Sequence, residues 1–433
     1  MGRAALIALL AVSGLRAQSP DAPAPVEPAV ATAPVGAKPK PDLDPGDLLR
    51  RIETLEKAKD SKLPTVNWTG QFQTDAVVFN QDANHLRRFG STPDGLAFRR
   101  ARFGMLGDYG PANYRIEFEF AGGRPQMLDV YAGVTDIPYL GYVRVGHYFE
   151  PFSLEQVTSE RFATFLERSI INQAFAPQRN LGTMVRNAVL DDRATYAVGL
   201  FATDSDVFGD SVGAPVGIAL TGRATGLPWY EPDGSRYLHL GVGYSFRESH
   251  NRSVQFRAQP ELRIGQTTPT TPFVADTKAI PSDYSQLIGF EWLLMNGPVS
   301  VQSEAMLAPV HSFRGGNLLF WGGYAEAAWR ITGESRTYRK DNGTVERLIP
   351  TRDFVGRDPA SFGRGPGAIE LAARVSYLDL QDGRVNGGRV TDLTLGVNWH
   401  LNPYLRVTGN YIRSWLSAGG ISDAVGLRLG WEF

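Results

Sequence analysis

From Val66 onward the chain alternates apolar and polar side chains with a period of two, and no other property restricts its fold as strongly. NYRIEFEF sets Tyr114, Ile116, Phe118 and Phe120 against Arg115, Glu117 and Glu119. LHLGVGYSF repeats the pattern with Leu238, Leu240, Val242, Tyr244 and Phe246, and DLTLGVNWHL with Leu393, Leu395, Val397 and Trp399. The final GLRLGWEF carries it through Leu427, Leu429 and Trp431 to Phe433. Successive side chains of a strand point to opposite faces, so each segment is a ribbon with one oily and one hydrophilic side.

Such ribbons fold either as a soluble sandwich or as a membrane barrel, where the oily side meets lipid and the hydrophilic side lines a lumen. Three features favour the barrel. The segments run for about ten residues, the length of a tilted crossing of the hydrocarbon layer. Aromatic residues gather near the segment ends, where a membrane girdle would sit. The last segment is itself a strand, which suits a sheet closed on itself with no free edge.

With the first strand at 66–79 running outward, short links at 108–113, 135–141, 191–192, 296–298 and 401–404 all fall on the periplasmic side. The counts from the two ends agree at an even number if 248–283 is one outer loop containing no membrane strand. The expected fold is therefore all-β: a 16-stranded antiparallel transmembrane β-barrel over 64–433. Three connections are long: 147–183 and 248–283 on the outer side, and 332–367 on the periplasmic side. Structureless links of that length are uncommon unless functional, and a barrel this wide would otherwise be an open channel. Some of them are expected to fold inward and narrow it.

The front end differs. MGRAALIALLAVSGLRAQS reads as a secretory signal peptide over 1–17, its apolar run too short to span a bilayer. Residues 18–41 form a Pro/Ala-rich linker. At 42–63, Asp47 is an N-cap candidate, and Leu48, Ile52 and Leu55 give a short apolar stripe. The segment reads as a periplasmic short helix or coiled coil.

Charge and composition exclude several functions. Cysteine is absent and the six His are scattered, so neither a thiolate nor a close His pair supports a metal site, and no cofactor motif is present. A formal net charge of -1 lacks the basic excess of a nucleic-acid binder. Of the 44 basic residues only seven are Lys. Arg presents a fixed fork of donors that matches oxyanions, although a GC-rich genome also enriches it.

FRRARFGMLGDYGPANYRIEFEFA, followed by the run from DVYAGVTDIPYLG through EPFSLE, FLERS and APQRNLG, resembles the phosphate-selective porin O and P family. The likeness is dense from about Leu96 to Asn187 and thins beyond. It implies a sixteen-stranded, trimeric outer-membrane porin whose loops enter the lumen and whose arginines lead anions to a basic constriction. Arg99, Arg100 and Arg102 match the basic second-strand motif, and Arg161, Arg168 and Arg179 the basic positions of the loop after the fifth strand. Many members carry a Lys where this chain has Phe149, so the family's phosphate preference does not transfer directly.

Strand parity sharpens the assignment. Ala101, Phe103 and Met105 form the lipid side of the second strand, so Arg100 and Arg102 face the lumen; an Arg at the lipid midplane costs about 2–4 kcal/mol. Arg99 has the opposite parity and is tolerable only near the mouth or at a bulge. Arg115, Arg144, Arg374 and Arg406 also read as lumenal. Such arginines raise the local anion concentration. Against this, Glu117, Glu119, Glu150, Glu155, Glu160, Glu167 and Glu370 are available to pair with them. The segment SLEQVTSERFATFLERS reads as helical, anchored by Val157, Phe162, Phe165 and Leu166.

These readings converge on a porin for passive diffusion of small anions such as phosphate or polyphosphate, a homotrimer surrounded by outer-membrane lipid, and not an enzyme. The alternative is a general, weakly selective porin whose N-terminal segment tethers to peptidoglycan. A barrel phospholipase would need a Ser–His pair that no spacing supplies, and a secreted soluble β-protein would need the inverted arrangement of faces.

Overall fold

The computed structural model describes residues 63–203, 208, 216–265, 271–356, 362–417 and 419–433. The expected signal peptide, linker and, except for Leu63, the helix at 42–63 lie outside the described residues. Sixteen strands form one closed antiparallel barrel. In chain order they are β1 Asn67–Gln81, β2 Gly95–Tyr109, β3 Ala112–Glu119, β4 Gln126–Ile137, β5 Gly141–Phe149 and β6 Arg179–Val189. There follow β7 Ala194–Ala202, β8 Ile218–Tyr230, β9 Arg236–Glu248, β10 Tyr284–Asn296 and β11 Val299–Ser312. The wall ends with β12 Gly316–Arg330, β13 Ala368–Asp382, β14 Val385–His400, β15 Leu405–Leu416 and β16 Ile421–Glu432.

β16 pairs with β1 from Gln71–Glu432 to Gln81–Ser422, which closes the sheet. The Gly70 N–H donates to the Phe433 carbonyl at 3.0 Å, and the Phe433 N–H to the Gly70 carbonyl at 3.1 Å. The Phe433 ring lies so close over Gly70 that any Cβ there would collide with it.

The faces are inverted relative to a soluble protein. Leu240 and Leu429 are 43% and 52% exposed, while Asp75, Glu119, His239 and Asp392 on opposite-facing positions are fully buried inside the barrel. Backbone groups cannot hydrogen-bond to hydrocarbon, so a closed sheet with this polarity is the form a spanning β-structure takes. All five short links fall at the rim where β1 begins, here the N-terminal rim. Among the described residues, 248–283 contributes no wall strand, only two-residue pairings of Ser253–Val254 with Ile280–Pro281 and Arg257–Ala258 with Ala275–Asp276.

Described parts of all three long connections enter the lumen. Phe152, at the start of the β5–β6 connection, is fully buried against inward-facing Gly243 and Gly289, whose missing side chains make its socket. Ile171 fits over Gly322, Phe165 over Gly396, and Leu166 over Gly426. In the β9–β10 connection Phe256, Val274 and Ile280 join Phe152, Ile170, Ile171 and Phe175 in one apolar cluster on the wall. From the opposite end the β12–β13 connection places Tyr338 and Val345 against Leu154, Tyr237 and Leu293.

Two expectations are corrected. The segment after β5 is not one helix but two short ones, Leu154–Val157 and Ile170–Phe175, with a single 3-10 turn at Glu160–Phe162 between them. The Ser153 and Ser159 hydroxyls each accept an N–H and start a new turn, while Thr158 stays extended, an outcome that hydroxyl side chains favour over a continuous helix. Of the four anchors expected, Phe165 and Leu166 are buried, but Val157 and Phe162 are only half-buried. The deeper anchors are Phe152, Ile170 and Ile171.

Phe152→Ala is expected to empty that socket at a cost of about 3–5 kcal/mol. The barrel's heat-modifiable migration should persist while trypsin gains access to Arg161 and Arg168. Protection equal to that of the parent protein would contradict the anchoring.

Candidate functional site

The site is the neck where the β5–β6 connection crosses the arginines of β2. Arg99 was expected to be tolerable only near the mouth or at a bulge, and it occupies a bulge: the β1–β2 register passes from Gln73–Arg100 to Thr74–Phe98, which makes Arg99 the extra residue of β2. An extra residue in one strand lets neighbours share a face. Arg99, Arg100 and Arg102 therefore all turn into the lumen and are buried.

Each meets a carboxylate. Arg99 Nε and Nη2 donate to Glu167 at 2.6 and 2.8 Å. Arg102 Nε donates to Glu119 at 2.8 Å, and its Nη1 meets Glu160. Arg100 donates to Gln73 Oε1 at 2.7 Å and lies 3.5 Å from Glu160.

The other matched arginines follow suit. Arg115 pairs with Glu117 at 2.8 Å and Arg161 with the same carboxylate at 3.1 Å. Arg168 donates to the Glu155 and Gln156 carbonyls at 3.1 and 3.0 Å and lies 3.4 Å from Glu160. Arg179 pairs with Asp129 at 2.9 Å. All seven glutamates expected to compete for arginine do pair with one, including Glu150 with Arg247 at 2.7 Å, Glu155 with Arg374 at 3.1 Å and Glu370 with Arg330 at 3.1 Å.

Arg144 differs from the other seven. Its Nε donates to the Tyr142 hydroxyl at 3.1 Å, and its guanidinium lies 3.9 Å from the Tyr131 ring centre. Arg406 Nη1 donates to the Ala163 carbonyl at 2.7 Å, and Arg336 Nη2 to the Phe162 carbonyl at 2.7 Å. None of these three has a carboxylate within ion-pair distance among the described residues. They differ from the rest in having neutral acceptors and no acid at contact, so their charge is not cancelled there. Arg336 and Arg406 line one cleft at the N-terminal rim with Arg161, Arg347 and His400, opposed by Glu370 and Glu432.

Sequence reasoning missed Arg336, Arg223 and Arg428. Arg428 faces Asp75 across the closing seam, with two N–H···O bonds of 2.7 Å, and donates a third of 2.7 Å to the Leu166 carbonyl. Arg223 forks onto Glu291 at 2.8 and 2.7 Å and donates to the Gly343 carbonyl of the β12–β13 connection at 2.9 Å. Parity alone could have marked Arg223 and Arg428 as lumenal, since each stands between apolar neighbours in its strand.

Glu167 is the hub of the neck. Besides Arg99 it lies 3.3 Å from Arg263 and 3.3 Å from Arg428. Burial alone would raise its pKa, but Arg99 and Arg263 outweigh burial and hold it well below the usual carboxylate range. Burial also pulls Arg168 down to about 10, with Arg179 adding to the effect, and leaves it charged at neutral pH.

A family model described as phosphate-selective porin O and P matches residues 66–415. The chain belongs to that family. This porin is 28% identical to a Caulobacter vibrioides protein over 330 residues, 73% of the chain and 62% of that protein's length, so it spans less than two thirds of that relative. It is 24% identical to Porin O of Pseudomonas aeruginosa over 395 residues, 83% of this chain and 85% of that one. Among solved structures, the anion-selective porin from Comamonas acidovorans superposes with a TM-score of 0.52 at 13% identity, covering 86% of this chain and 100% of that one. OmpT of Vibrio cholerae in its trimer form gives 0.52 at 12% identity, covering 86% and 100%. These likenesses confirm the barrel. The family and the fold are those of an outer-membrane porin, a channel rather than an enzyme.

Glu167→Gln tests the hub. Removing one partner of a buried ion pair typically costs about 3–5 kcal/mol, so the variant should melt earlier in mild detergent at neutral pH. A carboxylate with a depressed folded pKa stabilises above its unfolded value and loses that support as pH falls through the folded one. The parent should therefore lose stability on acidification below about pH 4.3, the free glutamate value. The variant's profile should be flatter there. Equal melting of the two proteins at neutral pH would show that Glu167 is not the hub.

Proposed function

We propose that this porin passes small anions by passive diffusion through a neck lined by arginine, with phosphate and polyphosphate as the cargo that its family points to. In this reading Arg99, Arg100, Arg102, Arg115, Arg144, Arg161, Arg168 and Arg179 line the anion path, joined by Arg336 and Arg406. The observation that carries the reading is the set Arg144, Arg336 and Arg406, whose guanidinium groups have lumenal positions and no carboxylate at contact distance. Guanidinium held by neutral acceptors keeps an outward field and free N–H groups for an oxyanion, and bidentate contact with phosphate is among the strongest it makes. The paired arginines contribute less, because each acid beside them cancels its share.

A general, weakly selective porin is the second reading, and one observation favours it. Seven of the eight arginines assigned from sequence have a carboxylate within 4.0 Å. Glu291, Glu304 and Glu326 add acids on the facing strands β10, β11 and β12. Arginines on one wall and acids on the other would set a field across the pore rather than along it. The same proposal includes a homotrimer in the outer membrane, the assembly named for the OmpT neighbour; a native mass of three copies in detergent would support it and a single copy would refute it.

Reversal potentials in planar bilayers under a potassium chloride gradient decide between the readings. The parent channel should favour anions, and Arg144→Glu with Arg406→Glu should shift the reversal potential toward cations. Phosphate added to one side should reduce chloride current in the parent more than in the variant. Cation preference in the parent channel would end the anion reading, and a reversal potential near zero in both proteins would favour the general porin.

A further inference from the structure

The neck does not account for a second concave region at the opposite rim. A cavity of about 530 Å3 opens there between the helix Ala83–Phe89 after β1, the 273–281 segment, and the turns joining β11 to β12 and β13 to β14. Its volume lies within the range of small-molecule sites, about 300–1,000 Å3. The floor is apolar: Val274, Ile280 and Leu318 are buried, and half-buried Phe89, Phe273 and Val385 complete it. Phe273 is fixed from behind by Arg257, whose guanidinium lies 4.3 Å from the ring centre.

The edge is cationic. Arg88, Lys278, Arg314 and Arg384 surround the opening, and Asp276 is the one carboxylate on the lining. That acid is already engaged, accepting from Lys278 Nζ at 2.8 Å and from Gln255 Nε2 at 2.7 Å. Among the described residues Arg88, Arg314 and Arg384 form no ion pair. The lining therefore keeps three exposed guanidinium groups around an apolar floor.

We propose that this cavity binds a small organic anion with an apolar body, an aromatic carboxylate in the first instance, at the mouth and ahead of the neck. The argument is one of matching. A small, strongly hydrated inorganic anion gains nothing from Val274, Ile280 and Leu318 and loses its water against them. A neutral apolar molecule fills the floor but leaves the guanidinium edge unused. A ring bearing one carboxylate satisfies both, burying its body while its charged end stays at the arginines. The assignment is independent of whether the neck prefers anions.

The test uses 2-naphthoate titrated calorimetrically into the full-length protein in lipid nanodiscs. One saturable site is expected. Arg314→Glu with Arg384→Glu should weaken it by about tenfold or more, as should replacing the probe by neutral 2-naphthylmethanol. Inorganic phosphate should not compete. Both arginines are exposed turn residues, and heat-modifiable migration equal to that of the parent would confirm that the variant's barrel is intact. Absence of saturable binding, equal binding by parent and variant, or displacement by phosphate would overturn the proposal. So would an outcome in which the variants lose bound lipopolysaccharide while the parent shows no affinity for naphthoate, since the cations would then serve a lipid phosphate.

Discussion

The structure depends on the seam between its first and last strands. A sheet in hydrocarbon cannot leave an edge, because every unpaired N–H or C=O there goes without a partner. The eleven residue pairs from Gln71–Glu432 to Gln81–Ser422 remove that edge. Asp75 and Arg428, directly opposed in this register, join across the seam by a bidentate ion pair on the lumenal side. The same guanidinium holds the Leu166 carbonyl. Closure of the wall and placement of the inward loop are thus coupled through one side chain. A loop displaced from the lumen would leave Arg428 with a lost acceptor in a buried setting, which is costly for a charged donor.

The interior follows a division of labour between glycine and charge. Where the wall meets apolar loop residues it supplies glycine: Gly243 and Gly289 for Phe152, Gly396 for Phe165, Gly426 for Leu166. Where it meets polar groups of the inward segments it supplies polar side chains: Arg99 and Arg428 for Glu167, Asn410 for the Leu166 N–H, and Asn398 for the Thr164 carbonyl. Seating the loop's apolar side chains against the wall removes their surface from lumenal water, and that transfer favours the inward placement. Sockets that exclude water on every side convert the contact into true burial, and the ion pairs fix which way the loop lies. Carboxylates of the loop, Glu160 and Glu167, meet arginines of β2 and β16. The neck is therefore a salt network first, and the arginines without an acid at contact distance among the described residues are the few that neutral groups hold instead.

This explains what the sequence did and did not disclose. The strand number, the short links and the inward side of Arg100, Arg102, Arg115 and Arg374 were legible, because each depends on period two and on counting within one hairpin. The Arg99 bulge was legible as a conflict: three basic residues in four positions cannot share a face without one extra residue. Pairings such as Arg374 with Glu261, 113 residues apart, were not legible, since nothing local specifies them. The acids available to pair could be named, but not their partners. The segment 153–169 misled because its apolar spacing suits a helix in isolation, whereas its anchors are chosen by glycines on distant strands.

Phe149 shows why a departure from a family pattern must be judged in place. Many family members carry a Lys there, and Phe149 cannot supply that charge. The ring instead lies 3.8 Å from the Arg179 guanidinium and 5.2 Å from that of Arg168. An ammonium at this position would repel both. The face of an aromatic ring attracts both, with about 0.5–2 kcal/mol per contact depending on desolvation. The substitution thus removes one mobile charge and steadies two fixed ones. With Lys nearly absent from the barrel and Arg carrying its positive charge, an aromatic residue is the better neighbour: it orders guanidinium groups without competing with them for the carboxylates or for an anion.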